Sequence, residues 1–284
     1  MVRFYYCFKG KVKKMQIKTL DLWTPKEYPY EGEIPTLTSY ITDSTRTKPA
    51  IIICPGGGYQ HVSDREAEPV ALQFLAKGYQ AFILRYSVNG IRHPQPLLDI
   101  AKAIKIVRDY GEEWKVDPNK VVVLGFSAGG HVAASISVHW DKDIMREKLK
   151  SDPERVKPNG TILCYPVISF QEFAHQGSVN YLLGENADEE IKEKMSLHKQ
   201  VGSHTPPTFV WHTVTDASVP VENSLLYISA LQKHHIPFEA HLYDKGVHGL
   251  SLAEKETSEG RKELVDAHIA PWIDLAHEWI QRNI

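Results

Sequence analysis

What the chain lacks narrows it first. Cysteine is scarce: Cys7, Cys54 and Cys164 are the three in 284 residues, an odd and widely spaced set. A disulfide framework needs an even, denser set in a smaller chain, and no C-x-x-C pair offers metal or redox spacing. Cys54 and Cys164 lie inside apolar runs, so buried free thiols in a reducing compartment are expected. No stretch approaches the length of a membrane span. The first fourteen residues, MVRFYYCFKGKVKK, lack the uninterrupted apolar stretch and small-residue cleavage site of a secretory signal. They read as a poorly ordered tail or a start-site artefact, because Met15 opens a segment that alternates like an edge strand. A cytoplasmic protein is the resulting expectation. Charge of one sign is missing too: a net charge of -2 and a pI near 6.7 leave no field to gather nucleic acid or a membrane surface. No histidine and carboxylate group has zinc spacing, so neither a metal nor a cofactor is expected.

With 42% hydrophobic and 24% charged residues the chain suits a large folded domain. It starts with period-two segments, QIKTLDLW and TLTSYIT, then the apolar run PAIIICPG. From there apolar strands (YQAFILRY, KVVVLGF, GTILCYPV, PPTFVWHTVTD, PFEAHLYD) alternate with amphipathic helices (around 65–77, PLLDIAKAIKIVRDY, AGGHVAASISVHW, VENSLLYISALQKHH, and about 271–282). Such alternation predicts an α/β fold with a mostly parallel central sheet flanked by helices. Residues 170–204 break the rhythm with short, polar, helix-prone pieces and read as a small helical insertion over the sheet. No repeat, low-complexity tract or linker divides residues 15–284, which read as one domain.

Gly125-Phe126-Ser127-Ala128-Gly129 matches G-x-S-x-G between a strand and a helix. A serine at such a sharp turn sits on a strained backbone with its hydroxyl exposed, and the flanking glycines avoid clashes. The helix start adds the Ala128 N–H, a donor for an oxyanion. After the run AIIIC stands Pro55-Gly56-Gly57-Gly58-Tyr59, whose glycines let backbone N–H groups turn inward. The P-loop lysine and the dinucleotide G-x-G-x-x-G spacing are both absent, which excludes the usual phosphate-binding readings.

A serine hydroxyl needs a base, and the base needs a carboxylate. Of fourteen histidines, most end helices or lie in the polar insertion, as His175 does. His248 instead follows the last strand in a glycine-flanked loop (Lys245-Gly246-Val247-His248-Gly249). Asp216 ends the preceding strand and is the expected acid, with helix capping as its bland alternative; Asp244 is the rival, disfavoured by chain order. Tyr59, Gln60 and Trp211 are the expected substrate-binding residues, His212 a further rim candidate. Asp99 reads as a helix-surface carboxylate or an anchor for a nearby loop, and His131 as packing beneath the serine.

The blocks CPGGGYQHVSDREAEPVALQFLAKGYQAFILRYSV, GFSAGGHVAASISVHW and VWHTVTDASVPVENSLLYISALQKHHIPFEAHLYDKGVHGL, spanning residues 49–252 in order, resemble the bacterial acetyl esterase and acetylxylan esterase branch of the hormone-sensitive-lipase-like α/β-hydrolases. The resemblance implies the α/β-hydrolase fold, with the nucleophile at Ser127, the acid at Asp216, the base at His248, and the oxyanion hole at Gly57, Gly58 and Ala128. Pro55 stands where many relatives in the wider superfamily carry histidine, and proline is common in the acetylxylan-like branch. The resemblance also implies deacetylation of sugars, often xylo-oligosaccharides, through an acyl-enzyme. A small-molecule ester, an acetylated sugar, is thus the expected partner; a homo-oligomer is compatible with this reading. Rival readings are a broad short-chain esterase or lipase, a serine peptidase and a non-catalytic binding protein on the same fold.

Overall fold

The computed structural model describes residues 15–284, so the expectation for residues 1–14 and Cys7 lies outside the described residues. Eight strands form one sheet: β1 (Gln16–Asp21), β2 (Thr36–Ile41), β3 (Lys48–Cys54), β4 (Gln80–Arg85), β5 (Val116–Phe126), β6 (Gly160–Cys164), β7 (Thr208–Thr213) and β8 (Phe238–Tyr243). The helices are α1 (Glu68–Ala76), α2 (Gln95–Asp109), α3 (Gly111–Trp114), α4 (Ser127–His139), α5 (Asp143–Leu149), α6 (Gln176–Leu183), α7 (Glu189–Lys194), α8 (Glu222–Lys233), α9 (Lys255–Ser258) and α10 (Trp272–Asn283). Spatial order is β1-β2-β4-β3-β5-β6-β7-β8. The pairings of β2 with β1 and with β4 are antiparallel, and every pairing from β4 through β3 to β8 is parallel.

The central strands read as continuous apolar runs because both faces of the sheet are covered. In β3, Ile51 and Ile53 pack into a core shared with α1 and α10, while Ala50, Ile52 and Cys54 point into a second core under α2, α4 and α8. Val122 and Leu124 of β5 join the first core, Val121 and Val123 the second. This period-two division of labour is what a pleated strand between two helix layers requires. At the edge, β1 is largely exposed, which matches its alternating, polar sequence.

The chain leaves β3 in one direction along the sheet to make β4 and crosses back over β3 to make β5. Strand order therefore reverses between β3 and β5, and the crevice beyond the carboxyl ends at such a switch point is where open α/β sheets bind ligands. The glycine cluster follows β3, Ser127 follows β5, Asp216 follows β7 and His248 follows β8, so parallel strand direction alone delivers all four to one rim. The insertion after β6 carries α6, α7 and a 3-10 turn, and is tied down by Leu197 N–H to Ile168 O at 3.0 Å and by Phe170 N–H to Ser196 Oγ at 3.0 Å.

Cys54 and Cys164 are buried free thiols, and burial pushes both well above the usual thiol range, leaving them protonated and inert. Asp99 is fully buried instead of lying on a helix surface. It accepts Trp23 Nε1–H at 2.7 Å, Gln95 Nε2–H at 2.8 Å and the Ser87 amide at 2.8 Å, so it anchors the segment after β4 to α2. An amphipathic helix can hide a carboxylate on its inner face when enough donors meet it.

Candidate active site

Ser127 is the first residue of α4, with φ 51°. A non-glycine residue at positive φ stores strain, and here the surroundings impose it. A Cβ on Gly125 would come 2.1 Å from Gly129 O, and one on Gly129 would come 2.0 Å from Cys54 O. Strand, turn and helix pack so closely that only glycine fits on either side. The Ser127 carbonyl accepts the Val167 amide at 3.0 Å, which pins the turn from the β6 side.

Ser127 Oγ–H donates to His248 Nε2 at 2.8 Å, and His248 Nδ1–H donates to Asp216 Oδ2 at 2.6 Å. The structure thus brings together the three residues expected to cooperate. Asp216 is buried, which by itself would raise its pKa. Hydrogen bonds from His212 and His248, with the backbone N–H of Val219, outweigh that and hold the carboxyl far below the usual range. Its Oδ1 accepts the amides of Ser218 and Val219, both at 2.9 Å, so one oxygen is fixed by backbone while the other faces the imidazole. His212 is not a rim residue: it is fully buried, its Nδ1 accepts the Ser224 hydroxyl at 2.8 Å, and its Nε2–H faces Val219 O at 3.0 Å and Asp216 Oδ2 at 3.3 Å. Asp244 is exposed to solvent, away from this hydrogen-bonded line.

The His248 loop is clamped from two sides. Thr213 Oγ1–H and Thr215 Oγ1–H donate to Gly246 O, and Arg65 donates to Gly249 O at 2.9 Å and Thr257 O at 2.5 Å. A Cβ on Gly246 would stand 2.5 Å from Thr213 Cγ2, so this glycine serves close approach to β7. Tyr165 sits edge-on to the His248 ring at 5.1 Å.

Gly57 and Gly58 have φ of 128° and 64°, and Gly57 O accepts the amides of Gln60 and His61 in a tight turn. A Cβ on Gly57 would lie 2.2 Å from His61 O. Among the described residues, the N–H groups of Gly57, Gly58 and Ala128 donate to no protein acceptor. The buried carboxylate of Glu66 holds this loop: Oε2 accepts the Gly56 amide at 2.7 Å, and Oε1 accepts the Tyr165 hydroxyl at 2.6 Å. Tyr165 in turn accepts the Ser251 amide at 2.9 Å. One carboxylate thereby links the glycine loop to the loop that carries His248. In the sequence Arg65 and Glu66 read as capping residues of the following helix start and Tyr165 as an ordinary strand-end aromatic; only the closed fold makes the three positioning groups.

Of the expected substrate-binding residues, only Gln60 is exposed. Tyr59 is 2% exposed, and its hydroxyl donates to His131 Nδ1 at 2.8 Å. Trp211 is fully enclosed, packed against Tyr165, Tyr243 and Trp272. Both aromatics therefore support the site from below instead of lining it; a central strand flanked by two helix layers has no wet face on which β7 could present an indole. His131, one turn along α4 from the serine, is buried: its Nε2–H donates to Met195 O at 2.9 Å and its ring stacks on Phe170.

Burial pushes His131 down to about 3 and His139 to about 4. In the unfolded chain each protonates near pH 6.5, whereas the native rings stay neutral, so stability falls as pH drops through that interval. We expect a loss of about 1.4 kcal/mol per pH unit for each ring below pH ~6.5, ending at its folded pKa. Denaturant midpoints between pH 7 and 5 should show this decline, with a shallower slope in His131→Gln.

No helix among the described residues is long and apolar enough to cross a membrane, and no cluster of three or more His, Cys, Asp or Glu side chains is placed to hold a metal ion. Known proteins place this arrangement. The BD-FAE family model matches residues 39–231. The chain is 38% identical over 247 residues to endo-1,4-beta-xylanase B of Butyrivibrio fibrisolvens, a match covering 84% of this chain and 39% of that protein. It is 34% identical over 209 residues to an acetylxylan esterase of Xylanibacter ruminicola, covering 72% and 41%. The chain thus spans about two fifths of these relatives. Among solved structures, the acetyl ester-xyloside bifunctional hydrolase of Caldicellulosiruptor lactoaceticus superposes with a TM-score of 0.83 at 42% identity, covering 96% of this chain and 98% of that one. The carboxylesterase Cest-2923 of Lactobacillus plantarum gives 0.76 at 26% identity, covering 95% and 98%. With its sheet order, its strained serine turn and these relatives, the chain has the α/β-hydrolase fold and belongs to the BD-FAE family, in the hormone-sensitive-lipase-like esterase branch.

Proposed function

We propose that this protein is a serine esterase that removes acetyl groups from acetylated carbohydrates such as xylo-oligosaccharides. The observation that carries the reading is the hydrogen-bonded line Ser127–His248–Asp216, with three backbone N–H groups in the serine and glycine turns that no protein acceptor among the described residues uses. In the reaction, Ser127 Oγ attacks the ester carbonyl carbon while His248 Nε2 takes its proton, and Asp216 holds the imidazole tautomer and offsets the charge that forms. The N–H groups of Gly57, Gly58 and Ala128 receive the oxyanion; each such donor contributes about 2–4 kcal/mol to the transition state. Collapse returns the proton from His248 to the departing sugar oxygen and leaves Ser127 acetylated. Water, deprotonated by His248, then attacks the acetyl carbonyl and releases acetate.

The carbohydrate part of the reading is supported by the relatives, named as a xylanase, an acetylxylan esterase and an acetyl ester-xyloside hydrolase. A cytoplasmic location is part of the proposal, supported by the buried, unpaired Cys54 and Cys164. The test is a substrate panel: acetate release from acetylated xylo-oligosaccharides beside p-nitrophenyl esters of increasing acyl length. Acetyl is expected to exceed octanoyl in kcat/KM by at least about tenfold, since a misfitting acyl chain costs that much or more. Faster turnover of the long chain, with no acetate released from the sugars, would replace this reading by a lipase.

A further inference from the structure

The insertion after β6 places an imidazole beside the triad that the triad does not use. His175 is the N-cap of α6; its Nδ1 accepts the Ser178 amide at 3.2 Å and lies 2.9 Å from the Ser178 hydroxyl. With Nδ1 as the acceptor from that amide, the ring proton resides on Nε2. Burial lowers the pKa of this ring, with His248 nearby adding to the effect, so the ring is neutral and Nε2–H is a donor. Among the described residues no acceptor meets that N–H. The ring lies over the glycine loop: a Cβ on Gly58 would be 3.7 Å from His175 Cε1, the atom bonded to Nε2.

Next to this ring opens a cavity of about 680 Å³, within the ordinary range for ligand sites. Two segments join it to the catalytic rim. Gly177 lines it, and a Cβ there would touch His175 Cε1 at 3.2 Å. Gly90 lines it from the other side, and its neighbour Asn89 donates to Tyr59 O at 2.9 Å, one residue past Gly58. The residues with side chains that line the cavity are Arg92, Asn180, Tyr181, Glu185 and Asn186, with one leucine and one alanine. The Arg92 guanidinium lies against Gly184, where a Cβ would stand 2.9 Å from Cζ and Nη1. The Asn180 carbonyl is occupied by Gln176 at 2.7 Å, which leaves its NH₂ as a donor. One aromatic ring, a guanidinium, two amides and one carboxylate suit the hydroxyls and flat faces of a sugar ring better than an alkyl chain.

We propose that this cavity is the subsite for the alcohol half of the ester, a sugar, and that His175 Nε2–H donates to a sugar oxygen beside the scissile bond. The proposal rests on the carbohydrate-ester reading above. The experiment measures kcat/KM for acetylated xylotriose and for p-nitrophenyl acetate, which has no sugar, in wild type, His175→Asn and Tyr181→Ala. Asparagine keeps the helix cap, so loss of the ring is separated from loss of α6. Both variants should lose about 10- to 100-fold on the sugar ester, as removal of a buried hydrogen bond or ring contact does, and stay within about threefold on the aryl ester. Equal losses on both esters, or no loss on the sugar ester in variants that melt at the wild-type temperature, would overturn the subsite. A wild-type enzyme active on the aryl ester and inert on every acetylated sugar would defeat the carbohydrate reading, and the subsite with it.

Discussion

Replacing Ser127 with alanine should abolish esterase turnover, lowering kcat by a factor on the order of 10⁴ to 10⁶ and leaving the fold intact. The size of the loss follows from the geometry. Ser127 supplies the bond-forming atom, and His248 has no other hydroxyl at 2.8 Å to activate. What survives is the contribution of the N–H groups at Gly57, Gly58 and Ala128 and of substrate binding, which typically retain 10³- to 10⁴-fold over water. The variant should be at least as stable as wild type, because alanine keeps the Cβ in the strained turn and removes a side chain that is 7% exposed and held for chemistry. Acetate release followed by titration, with a melting curve on the same sample, checks both parts. Wild-type rates in a folded Ser127→Ala protein would remove the nucleophile assignment.

Much of this arrangement could be read in the sequence because it is written in local pattern. G-x-S-x-G between KVVVL and GGHVAASISV specifies a strand, a turn and a helix within about twenty residues, and the structure forms β5 and α4 there. Apolar runs separated by amphipathic segments gave the parallel sheet for the same reason: period and length are local quantities. Strand order is not. β2 runs antiparallel between β1 and β4, and the β3–β5 reversal is decided by which faces can be covered, to which no window of residues is sensitive. The supporting carboxylate was equally hidden. Glu66 sits ten residues from Gly56 and ninety-nine from Tyr165, and only the closed fold makes it an acceptor for both. His175 was passed over in a polar stretch because its neighbourhood with Gly58 exists across more than a hundred residues of chain. Trp211 erred the other way: its aromatic character suggested a pocket wall, while its position in the middle of β7 commits it to the core.

The second large effect separates two strand-end carboxylates that the sequence distinguishes only by chain order. Asp216→Asn should lower kcat by about 10⁴-fold, while Asp244→Asn should change it by less than about twofold. The difference is one of environment. Asp216 Oδ2 receives His248 Nδ1–H at 2.6 Å, and its other oxygen is held by two backbone amides, so an asparagine would keep its carbonyl on those amides and turn its NH₂ toward His248. An NH₂ group there forces Nδ1 to become the acceptor and puts the proton on Nε2, the atom that must take the Ser127 proton. Asp244, in contrast, projects into solvent beyond β8. Stability carries an independent signature of the same carboxylate. Its folded pKa is depressed, so its contribution is fully present above pH ~4 and is lost as pH falls below the unfolded value toward the folded one. Asp216→Asn should therefore be less stable than wild type at pH 7, and the gap should shrink steadily on acidification below pH ~4, read as the difference in denaturant midpoint. A gap independent of pH, together with near-normal turnover, would mean that Asp216 shapes its loop and that the imidazole is oriented by another group.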